Sequence, residues 1–91
     1  MFISTGGVNR EYEVVDTVFA LDSHKGGFFH GVDPNKAFEG VKKQLATKCV
    51  SLGGDAVIDC QFEYRNALAQ SLTGSKQVIE IFAYGTIIKF K

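Results

Sequence analysis

Four stretches of the chain carry distinct hydrophobic patterns. Residues 11–21 crowd β-branched and aromatic side chains together with no helix breaker, which predicts a long first strand. Residues 22–32 hold three glycines among side chains of mixed polarity and read as a loop, unusual in carrying the adjacent Phe28 and Phe29. Asp33-Pro34 is a helix start, with Asp33 as N-cap and Pro34 at the first helical position, where its missing N–H costs nothing. The helix is expected to end near Leu52, with Phe38, Val41, Leu45, Cys49 and Leu52 on one apolar stripe and Gly53-Gly54 beyond it as the stop. Gly40, placed mid-helix on the outer side, costs about 1 kcal/mol relative to alanine, and the pattern supplies no reason for it. From Ala56 to Tyr64 the residues alternate, placing Ala56, Ile58, Cys60, Phe62 and Tyr64 on one face of a half-buried strand. Residues 65–76 read as a polar, mobile connection too long for a tight hairpin. From Gln77 to Phe90 both faces are apolar, as in a strand at the centre of a sheet.

The order strand, helix, strand, strand predicts an α+β fold, with one helix packed on a three-stranded antiparallel sheet and the last strand central. All 91 residues form one domain in this reading, since so short a chain has apolar side chains enough for one core. One helix covers one face only, so Phe82, Tyr84, Ile88 and Phe90 are left pointing away from it. An apolar sheet face is not normally left in water. The expected covers are a second copy of the chain or the 23–32 loop with Phe28 and Phe29.

Composition changes this picture by exclusion. Ten Lys and Arg balance ten Asp and Glu, which leaves no overall basic field for nucleic acid or an acidic membrane surface. No segment has the ~18–20 apolar residues that span a bilayer. Neither a signal peptide nor a lipid-anchor motif is readable at the N-terminus, and Cys49 and Cys60 lack CxxC spacing, so a cytoplasmic setting is expected. No Ser-His-Asp order, nucleotide-binding glycine fingerprint or HExxH occurs, and Asp59 and Glu63 share a strand with nothing to raise one pKa, so no enzyme is expected.

Leu52-Gly53-Gly54-Asp55-Ala56-Val57-Ile58, then Phe62-Glu63-Tyr64 and Tyr84-Gly85-Thr86-Ile87-Ile88-Lys89, resemble the YbjQ-like proteins. Their pattern is a helix ending in LGADAVV, an acidic strand with a tyrosine and a strand carrying SGTAVK. The match spans roughly the C-terminal half; the N-terminal half departs from the family pattern. The resemblance implies a dodecin-like strand-helix-strand-strand subunit, commonly assembled into a pentamer, and a heavy-metal-binding label. It carries over no catalytic residue and no cofactor.

Candidate chemistry is sparse. Cys49 and Cys60 fall on core-facing positions, one on the helix stripe and one on the strand beneath it, where a thiol more often packs as a small hydrophobe than binds a thiophilic ion. His24 and His30 flank the glycine loop at a spacing that matches no metal motif, with only Asp22 and Asp33 as nearby carboxylates. The helix separates the histidines from the cysteines by over ~20 Å, which excludes a four-ligand site within one subunit. Lys36, Lys42, Lys43 and Lys48 outnumber Glu39 on the helix and form a local basic face, solvated or paired with acids such as Asp59, Glu63 and Glu80 of a neighbouring subunit. The expected function is a self-associating structural or interaction module without metal, with Phe82, Tyr84, Ile88, Phe90, Phe28 and Phe29 as interface candidates; the alternative is a small-ligand or heavy-metal-binding protein.

Overall fold

A computed structural model describes residues 2–25, 34–71 and 74–91. The elements in chain order are β1 (Phe2–Ile3), β2 (Tyr12–Lys25), α1 (Pro34–Ser51), β3 (Ala56–Ser71) and β4 (Gly74–Phe90). They form an α+β fold with one helix on a four-stranded sheet of order β1-β3-β4-β2. The two-faced apolar strand β4 is central, antiparallel to both β2 and β3, as its pattern requires.

The expected three-stranded antiparallel sheet is corrected by β1, which pairs parallel to β3 through Phe2 with Ala56 and Ile3 with Val57. A two-residue strand has too little periodicity to be read from sequence. Its pairing continues irregularly. Ser4 N–H donates to Val57 O at 2.9 Å, Cys60 N–H to Ser4 O at 2.9 Å and Asp59 N–H to Gly6 O at 3.0 Å.

The expected mobile connection over 65–76 is also corrected. β3 runs to Ser71 and β4 starts at Gly74, with Arg65 opposite Glu80 and Ser71 opposite Gly74, so the two strands make one long hairpin. Polar residues extend a strand when its partner supplies the hydrogen-bond ladder, which composition does not reveal. Residues 22–25, expected as loop, likewise belong to β2 and pair with 78–81 of β4.

Strand β3 does not keep one alternation. Ile58 pairs with Thr86 and Gln61 with Tyr84, so Asp59 and Cys60 together oppose Gly85 in a bulge. Asp59 takes φ 52°, the left-handed region that aspartate enters more readily than most residues. The bulge reverses the faces. Val57, Cys60 and Phe62 pack with the helix-side core, whereas Ala56 and Ile58 form a second cluster with Ile88. A second bulge lies in β2, where Val14 pairs with Ile88 and Asp16 with Ile87.

Ala37, Val41, Leu45 and Cys49 of the helix pack on Val18, Ala20, Val57, Cys60, Ile79, Ile81, Ala83 and Ile87. Leu52, placed on the same stripe by periodicity, is instead 50% exposed, because the helix has ended at Ser51. Gly53 follows at φ 75°, donating its N–H to Val50 O at 3.0 Å while Gly54 N–H bonds Cys49 O at 2.9 Å, the paired bonds of a Schellman stop. Asp55 then fastens the turn to β4: its N–H donates to Ile88 O at 2.7 Å and its Oδ2 accepts from Phe90 N–H at 2.8 Å.

The structure also supplies a reason for Gly40, which is not on the solvent side. A Cβ there would come within 2.9 Å of Asp22 Cγ and overlap its carboxylate, so glycine lets the helix approach β2 closely. Next along the same ridge, Gln44 Nε2 donates to Leu21 O at 2.9 Å and Lys48 Nζ donates to Phe19 O.

Candidate interaction face and buried thiols

Among the described residues, the sheet face opposite the helix is covered at one end only. There Val8 and Phe90 pack on Ala56, Ile58 and Ile88, Phe2 stacks on Phe90 with ring centroids 6.2 Å apart, and the Arg10 guanidinium lies 3.9 Å above the Phe90 ring. Ile88 is thus fully buried and Phe90 half-buried under the chain's own N-terminal segment. That cover was neither of the two expected. The other candidates from the central strand, Phe82 and Tyr84, remain 40% and 38% exposed. Phe28 and Phe29 lie outside the described residues, as do Asp33 and His30.

Register supplies two members that strand β4 alone did not. Phe19 pairs with Tyr84 and Leu21 with Phe82, and the two β2 residues are 65% and 58% exposed. The Phe19 and Tyr84 rings stand 6.3 Å apart. These four side chains form one apolar patch, because directly paired residues project to the same side of a sheet. The hydrophobic pattern puts Phe19 and Leu21 on a strand, and only the register of β2 on β4 brings them beside Phe82 and Tyr84. Along the patch runs an open groove of about 540 Å³, lined by Phe19, Leu21 and Phe82 together with the charged Lys48, Arg65 and Glu80. Arg65 Nη2 and Glu80 Oε2 meet at 3.1 Å, so Glu80 has a partner within its own subunit.

Both cysteines are free and buried, as periodicity placed them. Cys49 Sγ approaches Ala56 O at 3.6 Å and sits 2.7 Å from where a Cβ on Gly54 would be; Cys60 Sγ has the same relation, 2.7 Å, to Gly85. Each sulfur fills the notch of a glycine. Burial pushes both thiols above their ordinary pKa, helped by the negative charge of Asp55 near Cys49 and of Asp59 near Cys60. Both effects oppose the thiolate that a thiophilic metal requires. No group of three or more His, Cys, Asp or Glu side chains is placed to hold a metal ion among the described residues. Nor is any helix among them long and apolar enough to cross a membrane. Lys36, Lys42, Lys43 and Lys48 are exposed on the helix, and Lys48 is tied to the strand edge through Phe19 O.

No family model matches the chain, and no curated protein matches it significantly. Among solved structures it is similar to a crystal structure of a DUF74-family protein of unknown function from Pediococcus pentosaceus, at 26% identity and TM-score 0.74. The similarity covers 100% of this chain and 98% of that one. DUF74 is the YbjQ-like family, so the similarity points the same way as the C-terminal motifs.

Proposed function

We propose that this chain is a YbjQ-like, non-enzymatic module that associates with copies of itself through the open sheet face. The observation that carries the reading is the patch of Phe19, Leu21, Phe82 and Tyr84, four large side chains in two paired positions, all exposed. Exposed apolar groups in a contiguous cluster favour burial by roughly 25 cal/mol per Å² of surface removed from water. The Gly53-Gly54-Asp55 turn supports the family assignment, because it unites the helix stop with the Asp55 clamp on β4 that the motif encodes. The dodecin-like subunit and the pentameric assembly belong to the same proposal.

A second reading rests on the groove. Its volume of about 540 Å³ lies in the range of small-molecule sites, and Arg65 and Glu80 add a polar end to apolar walls. A small amphipathic ligand fits that chemistry better than a metal ion, since both thiols are buried in the core away from the groove. Native mass spectrometry of untagged protein separates the two readings. An oligomer without added mass, broken by Phe82→Glu, is the result expected of the first. A monomer with a bound organic mass lost in the same variant would replace it with the second.

A further inference from the structure

Strand β2 lies at the margin of the sheet, with β4 on one side and no strand among the described residues on the other. In an antiparallel pair every second residue sends its N–H and C=O away from the partner, toward whatever lies beyond the edge. Along β2 side chains occupy such groups at alternate residues. Thr17 N–H donates to Asp16 Oδ1 at 2.8 Å, Phe19 O accepts from Lys48 Nζ, Leu21 O accepts from Gln44 Nε2 at 2.9 Å, and Ser23 N–H donates to Asp22 Oδ1 at 2.9 Å.

Geometry explains why one helix serves two carbonyls. Residues four apart on a helix advance about 6 Å along its axis, and residues two apart on a strand advance about 6.7 Å. As the numbers rise from Gln44 to Lys48 they fall from Leu21 to Phe19, so the helix ridge stays in step with the outward carbonyls. Gly40 is the preceding member of the ridge, and its missing side chain brings the helix against Asp22. An exposed edge with open N–H and C=O groups is a template for another strand, and a charged lysine on it is a recognised obstacle.

We infer that the ridge of Gly40, Gln44 and Lys48 keeps the outer edge of β2 shut to strand addition, so that a second copy of this chain docks a strand between Thr17 and Ser23 only when those donors are removed. This goes beyond association through the open face and does not depend on it. The test compares wild type, Gln44→Leu/Lys48→Met and Lys48→Arg by sedimentation velocity over a range of concentrations. Amide exchange is followed at Phe19 and Leu21. Leucine and methionine keep helix propensity and bulk while deleting the donors. The double variant is expected to form species of at least twice the wild-type mass, with new protection of the Phe19 and Leu21 amides, while Lys48→Arg behaves as wild type. A double variant with wild-type circular dichroism and unchanged sedimentation would overturn the inference, and so would association without protection at those amides. Should the double variant fail to fold, the single variants Gln44→Leu and Lys48→Met carry the test: each is expected to show part of the mass increase, and wild-type sedimentation of both folded variants overturns the inference. A monomeric wild type removes the open-face reading and leaves this one standing.

Discussion

Gly40 and Asp22 show how one pair of residues offsets a propensity argument. Alanine at position 40 would gain about 1 kcal/mol of helix propensity, yet its Cβ overlaps a carboxylate held by Ser23 N–H. The overlap is with the end of a half-exposed side chain, which another rotamer withdraws, so Gly40→Ala is expected to gain less than that propensity and Asp22→Ala to restore the full gain in the double variant. Denaturant midpoints of the four proteins measure it. The two thiols make a second residue-scale case. Buried against glycine notches, Cys49 and Cys60 are expected to label with a thiol reagent slowly in the native state and fully after unfolding. Their raised pKa has a definite sign: the folded state binds the thiol proton more tightly. That contribution is complete below the unfolded thiol value of about 8.5 and is lost as pH rises through the folded value, so stability falls in alkaline solution. A stability profile flat from pH 8 to 11 would contradict it.

At the scale of elements, α1 and β4 are the parts that periodicity states plainly. Asp33-Pro34 and Gly53-Gly54 bracket a helix observed from Pro34 to Ser51, and the two-faced apolarity of residues 77–90 places β4 at the centre. Leu45 and Ile81 are fully buried in the interface between these two elements, so Leu45→Ala and Ile81→Ala are each expected to cost about 2–5 kcal/mol by chemical denaturation. The parts that stayed hidden depend on a partner strand. The bulge at Asp59 moves Ala56 and Ile58 to the outer face, and no alternation rule announces where one residue is added. The β3–β4 arm is built from residues such as Arg65 and Asn66, whose polarity reads as loop until the opposite strand is known. The open face was half legible for the same reason: Phe82 and Tyr84 were visible on β4, while Phe19 and Leu21 joined them only through the register of β2.

The whole molecule measures 54 × 21 × 17 Å, and its radius of gyration of 15.8 Å exceeds the roughly 12 Å of a compact chain this long. Seventeen residues of β4 at about 3.3 Å each account for the long dimension, whereas the eighteen of α1 extend only about 27 Å. The helix therefore spans about half the sheet, and Tyr64, 63% exposed on the helix side, stands beyond it. With so much sheet left uncovered by the described residues, the subunit is expected to sediment as an oligomer at micromolar concentration; a single monomeric boundary from micromolar to millimolar would remove self-association. The hairpin register has a consequence in time as well as space. Ser71 faces Gly74 across a two-residue connection, whereas Leu21 meets Phe82 only after about sixty residues of intervening chain. A local hairpin closes in microseconds, and the closure of a long loop must be met before β2 can dock. Substitutions along β3 and β4 should therefore slow refolding, and those in β2 should mainly hasten unfolding, so that the strand that completes the sheet is the last to arrive and the first to leave.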